Sequence, residues 1–201
     1  MCLAEHNPYR HNRKDMRHQF TYVLPVRSSY NQDDTLARVW FFGTGRDNCM
    51  GAGGFDCVRR DQLEWFKEES ALLPPNDPFR KNGIAFMHHA LQEHMHLVNN
   101  YPVHGSKRDY SGCQALNTGV FSEFQQMNTV QWVSAGGDHS TDFWGTFNGI
   151  NLSYGRKTGF SSYGPKFMMR GARIFELIVD PARGDMHVTS WIRQQDGSID
   201  A

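Results

Sequence analysis

The chain has 201 residues, of which 39% are apolar and 13% aromatic, enough for one globular domain whose core needs no staples. Its 21 lysines and arginines balance 21 aspartates and glutamates, which argues against the basic excess of a nucleic-acid-binding chain. No apolar run reaches the roughly 18 to 20 residues of a membrane span, and Met1-Cys2-Leu3-Ala4-Glu5-His6 lacks a signal-peptide core.

The expectation from these totals is a soluble, untargeted chain, cytoplasmic by default, with neither a nucleic-acid nor a membrane partner. Residues 1–37 read as an irregular polar segment with His6, His11, His18 and a basic cluster from Arg10 to Arg17. Met16 to Leu24 has the makings of a short helix before Pro25, although Thr21-Tyr22-Val23 favour extended backbone. Val39-Trp40-Phe41-Phe42 is wholly apolar, as a strand covered on both faces should be. The loop Gly51-Ala52-Gly53-Gly54 lacks the Lys-Ser/Thr of a phosphate loop and reads as a flexible turn. Cys49 and Cys57 flank it; they pair in an oxidising compartment or remain ordinary thiols. Leu63 and Phe66 predict an amphipathic helix from Arg59 to Leu73, stopped by Pro74-Pro75.

Ile84 to Met87 is the next strand, and His88 to Val98 contains a helical turn. Residues 99–113 form a polar loop, Ala115 to Met127 a helix, and Thr129 to Val133 a strand. Strands alternating with helices predict a βαβ-type sheet with helices on its outer face. The pattern then changes. Phe143–Phe147, Asn148-Gly149 and Ile150–Tyr154 spell a hairpin with a two-residue turn, and Ala172–Val179 with Met186–Arg193 a second one.

The candidate chemistry lies where strands end. His88 follows one apolar strand directly, and Gly136-Gly137-Asp138-His139 follows another. Strand ends are where α/β sheets place functional groups, and imidazole beside carboxylate can ligate a metal or move a proton. His88 and His139 are the candidate metal ligands. His94 and His96 read as surface or loop residues, and Asp142 as a cap on the turn into the hairpin. Gly-x-Ser-x-Gly and His-Glu-x-x-His are both absent, so no serine hydrolase or zinc protease is indicated.

Five segments occur in a telling order. They are Trp40-Phe41-Phe42-Gly43-Thr44-Gly45-Arg46-Asp47, Arg60 to Phe66, Ala85-Phe86-Met87-His88-His89 to Glu93, Gly136 to Phe143, and Leu152-Ser153-Tyr154-Gly155-Arg156-Lys157-Thr158-Gly159 to Gly164. In that order the chain resembles the C-terminal part of a calcineurin-like metallophosphoesterase of the purple-acid-phosphatase-like branch, over about residues 38–193. The resemblance implies half of a four-layer α/β/β/α sandwich, incomplete without its N-terminal half. It also implies a parent enzyme that hydrolyses phosphate esters with two metal ions (iron, zinc or manganese). In that family a lone histidine after a strand and a final Gly-His-x-His block supply ligands, and His88 and His139 match these. Gly137 stands where the first histidine of the block belongs. Asp138 is adjacent but faces the other way on an extended chain.

The earlier ligand blocks have no counterpart in this sequence. The expectation that follows is a fragment with no assignable catalytic residue, inactive alone and not holding the ions itself, with Val39 to Phe42 exposed as a sheet edge. Two alternatives stand beside it. One is a non-catalytic scaffold or binding domain that kept the second half of the fold; the other is a mononuclear metal module built from His88, His139 and Asp138.

Overall fold

The computed structural model describes residues 20–108 and 112–200. Its first strand, β1 (Tyr22–Arg27), pairs antiparallel with β2 (Thr35–Phe42). After β2 come helix α1 (Arg60–Ala71), β3 (Gly83–Met87), helices α2 (Gln92–Asn100) and α3 (Val120–Met127), and β4 (Trp132–Ala135). The hairpin β5 (Trp144–Phe147) and β6 (Ile150–Tyr154) follows, then β7 (Gly171–Val179), β8 (Met186–Gln194) and β9 (Ile199–Asp200). One six-stranded mixed sheet has the order β1-β2-β3-β4-β6-β5, with β2, β3, β4 and β6 mutually parallel; β7-β8-β9 form a second, antiparallel sheet.

Side-chain alternation along the strands decides what each face meets. Trp40 and Phe42 point to the helix side, where their rings meet Trp65 and Phe66 of α1 and Phe124 of α3 at 4.9–6.1 Å. Ile84, Phe86 and Trp132 point the other way, against Phe175 and Met186 of the small sheet, with the Trp132 and Phe175 rings 5.4 Å apart. The result is helices on one face of the large sheet and a second sheet on the other, which explains the unbroken apolar run Val39–Phe42 in β2. The Asn148-Gly149 turn has φ of 44° and 83°, the left-handed geometry that a two-residue hairpin requires.

Several expectations need correction. Residues 16–19 of the suggested Met16–Leu24 helix lie outside the described residues, as do the basic cluster and His6, His11 and His18. Tyr22, Val23 and Leu24 are strand, and Pro25 is tolerated because β1 is an edge strand. The segment read as irregular to residue 37 therefore carries β1 and the start of β2. Val39–Phe42 is not an exposed edge: β1 and β3 flank it, and Trp40 and Phe42 are 1% and 3% exposed. The fourth strand begins at Trp132 rather than Thr129, whose buried hydroxyl bonds Ser70 of α1 at 3.0 Å. No helix among the described residues is long and apolar enough to cross a membrane.

Candidate functional site

The parallel strands β2, β3, β4 and β6 all end at the same edge of the sheet, so the residues just beyond Phe42, Met87, Ala135 and Tyr154 gather there. Because β3 and β4 are paired to their last residues, His88 and Gly136-Gly137 emerge side by side, and the Gly136 N–H donates to the His88 carbonyl at 3.2 Å. A Cβ placed on Gly137 would lie 3.2 Å from that carbonyl and 3.9 Å from His88 Nε2. Position 137 therefore packs closely against His88 and His89, and the tight approach to the His88 carbonyl suits a residue without a Cβ.

The other site residues are spoken for locally. His88 is exposed, whereas its neighbour His89 is buried, with its Nδ1 3.2 Å from the Asp56 carbonyl and its ring stacked on Phe55 at 4.8 Å. Burial, and then the proximity of His88, hold the His89 imidazole below its ordinary range. His139 lies half-buried, stacked on Tyr163 at 4.2 Å, with its Nδ1 2.8 Å from the Tyr163 carbonyl. Asp138 turns inward: Oδ1 accepts the Gly112 N–H at 3.3 Å, and the buried Tyr154 hydroxyl stands beside the carboxylate. Burial and then Asp138 push the Tyr154 phenol far above its usual range.

Asp142 is not a turn cap on its own segment. Its Oδ1 accepts the Ser106 N–H at 2.8 Å, and its Oδ2 meets Arg156 Nε at 2.6 Å, both side chains nearly sealed from water. Among the described residues, one group of three metal-capable side chains lies with its ligand atoms within 4.8 Å, and it is Cys49, Asp56 and Cys57 rather than any set containing His88 or His139. In that group the two sulfurs are joined as a disulfide.

That disulfide, both halves fully buried, fastens the loop after β2 whose Asp56 and Phe55 pack on His89. Closing so short a loop removes unfolded-state entropy worth about 2–3 kcal/mol. The double variant Cys49→Ser/Cys57→Ser should therefore lose about 2–3 kcal/mol of unfolding free energy, measured by urea denaturation against the oxidised wild type.

Beside the histidine edge lies an open cleft of about 500 Å³ lined by Gly136, His139, Gly155, Lys157, Ser161 and Ser162 among others. A second cleft, about 390 Å³, lies at the opposite end of the parallel strands around Asn82, Gln131 and Ile150, away from both candidate histidines. His94, expected near the surface, is instead fully buried on the inner side of α2, its ring edge-on to Tyr154 at 5.6 Å. The signal was present: Leu91, His94 and Leu97 are three apart, the spacing of one helical face.

No family model matches the chain. Three proteins of Arabidopsis thaliana do. "Probable inactive purple acid phosphatase 29" is 28% identical over 74% of this chain and 40% of its own length. "Probable inactive purple acid phosphatase 28" is 27% identical over 87% and 45%, and "Probable inactive purple acid phosphatase 14" is 26% identical over 61% and 32%. The chain spans less than half the length of these curated relatives. They support the resemblance to the purple-acid-phosphatase-like branch of the calcineurin-like phosphoesterases.

Proposed function

We propose that this chain, similar to the purple-acid-phosphatase-like metallophosphoesterases, carries one wall of a two-metal phosphoester site and by itself neither holds the metal pair nor turns over substrate. Gly137 carries the reading. It stands where the resemblance calls for a ligating histidine, and its backbone runs so close to His88 that a Cβ there would lie 3.2 Å from the His88 carbonyl. Asp138 and Asp142 do not compensate, because one faces Tyr154 and the other is bound to Arg156. His88 and His139 alone fall short of the roughly four or more protein ligands that a metal pair needs. A two-metal centre therefore does not fit the described residues, and no catalytic step is assigned to one.

The outer face of the small sheet also supports a partial sandwich. Ile174 and Trp191 are cross-strand neighbours that remain half-exposed there, and Ile178 on the same face is 53% exposed. A further helical layer would cover such a face in a four-layer fold. The non-catalytic binding reading draws on the same glycine and on the word "inactive" in the names of the three relatives.

The test is p-nitrophenyl phosphate turnover by the purified chain with manganese, zinc or iron, beside His88→Ala. No turnover above the metal-only blank is expected for either protein. Robust turnover that His88→Ala abolishes would overturn the proposal.

A further inference from the structure

Cys49, Asp56 and Cys57, in the loop after β2, are all buried and have their ligand atoms within 4.8 Å of one another. The strand-end histidines take no part in this group. More than the sulfurs holds the two sides of the loop together. The Asn48 N–H donates to the Gly54 carbonyl at 2.8 Å, Asp47 and Phe55 form an antiparallel bridge, and the Ala115 N–H anchors the Phe55 carbonyl at 3.0 Å. Asp56 is fixed separately. Its Oδ1 accepts the Cys57 N–H at 2.8 Å, and Arg59 Nη2 lies 2.8 and 3.0 Å from its two carboxylate oxygens. Breaking the disulfide therefore leaves two thiols and a carboxylate gathered on a frame that does not depend on the S–S bond.

This frame suits an ion as well as it suits the bond. The Cα atoms of Cys49 and Cys57 are 5.4 Å apart, and rotation of the side chains is enough to seat both sulfurs about 2.3 Å from one tetrahedral ion. Two thiolates and a carboxylate carry three negative charges, which a buried group does not tolerate unpaired. One divalent ion together with the Arg59 guanidinium cancels them. Thiolate ligands select zinc over harder divalent ions, and three protein ligands leave a fourth position for water. Access comes through the loop itself. Asn48, Met50, Gly51, Gly53 and Gly54 all have positive φ, and Met50 and Phe55 are exposed, so the sulfurs lie under a thin surface turn that can open locally.

We propose that the chain binds one zinc ion at this loop when the disulfide is reduced, through Cys49 Sγ, Cys57 Sγ and a carboxylate oxygen of Asp56. A dithiol reductant gives two electrons and two protons to the S–S bond and becomes a disulfide itself; zinc then displaces one proton from each thiol. The oxidised loop and the zinc-bound loop are alternative states of one cysteine pair. The inference goes beyond the reading above and does not rest on it, since neither a strand-end residue nor a phosphate ester is involved.

The experiment uses the full chain carrying Cys2→Ser/Cys113→Ser, so that Cys49 and Cys57 are its remaining cysteines. One portion stays oxidised; the other is reduced with dithiothreitol, which is then removed by anaerobic gel filtration. Both are titrated with cobalt(II), whose thiolate charge-transfer band reports sulfur ligation, and then with zinc. The reduced chain should take up one cobalt per chain with that band, zinc should bleach it, and the oxidised chain should show no band. Cys49→Ser should abolish it, and Asp56→Asn should weaken binding by about tenfold or more. Circular dichroism follows the fold in each sample. No thiolate-bound cobalt in the reduced chain, whether it stays folded or not, overturns the proposal, as does a band that survives Cys49→Ser. Metal taken up without the band and lost in His88→Ala belongs to the strand ends, so a failure here and a failure of the phosphoesterase reading are distinguishable.

Discussion

Replacing Arg156 with alanine is expected to destabilise the fold by about 3–5 kcal/mol, the range for removing one partner of a buried ion pair. This guanidinium follows β6 and reaches three other segments at once. Its Nε is 2.6 Å from Asp142 Oδ2 before β5, its Nη1 donates to the Met169 carbonyl at 2.9 Å ahead of β7, and its Nη2 lies 2.7 Å from Asp200 of β9. The large and small sheets are thus joined by one planar group. Without it, Asp142, 2% exposed, keeps only the Ser106 N–H on its carboxylate. For a chain of this size the melting temperature should fall by roughly 10 °C or more. Arg156→Lys should rescue little, because an ammonium cannot fork toward three acceptors. By contrast, Arg156→Met/Asp142→Leu should recover much of the loss by removing the stranded charge as well. A melting temperature for Arg156→Ala equal to that of the wild type would show that the pair does not tie the sheets together.

This network also shows where sequence reasoning stops. Asp142 sits four residues beyond Asp138 in a motif-bearing segment, and nothing local announces a guanidinium fourteen residues later. What could be read was local. The apolar run of β2, the Leu63/Phe66 spacing of α1, the Asn148-Gly149 turn and the two long alternating strands β7 and β8 all appear close to where periodicity and turn chemistry put them. Errors came where long-range pairing overrides local preference. Pro25 reads as a helix stop but lies in an edge strand opposite Arg38, and β2 is interior because β1 folds back over it.

The site was legible in one dimension only. Strand-then-histidine marks His88, and strand-then-glycines marks the approach to His139. That β3 and β4 are adjacent and parallel, so that Gly137 lies beside His88, is a fact of register which no single segment contains. The closeness of two cations was likewise hidden: Lys157 and Arg170 are thirteen residues apart, and only the fold of the intervening loop brings both against Gly164. The absence of carboxylates from Phe143 to Phe175 was visible all along, but the balanced total charge concealed it.

His94 should make the folded chain acid-sensitive. It is completely buried, neither ring nitrogen has a partner of hydrogen-bonding geometry, and burial pulls its pKa down to about 4, against only weak support for the charged ring from the backbone of Val133, Ser153 and Leu91. An unfolded histidine titrates near 6.5. Above that pH the ring is neutral in both states, and His94 adds no pH dependence. As the pH falls from 6.5 toward 4, the unfolded chain takes up a proton that the folded chain refuses, so stability declines with acid and levels off below about 4. The full effect is about 3 kcal/mol, of which about 2 kcal/mol should be lost by pH 5. His94→Gln keeps a polar side chain of similar bulk without the titration. Urea unfolding of both proteins at pH 7 and pH 5 should therefore show a smaller decline in the variant by about that amount, while His89 and the acidic residues contribute equally to both. If the two proteins lose stability in parallel, the imidazole of His94 accepts its proton in the folded state, and α2 must open at that position more readily than its packing against Tyr154 suggests.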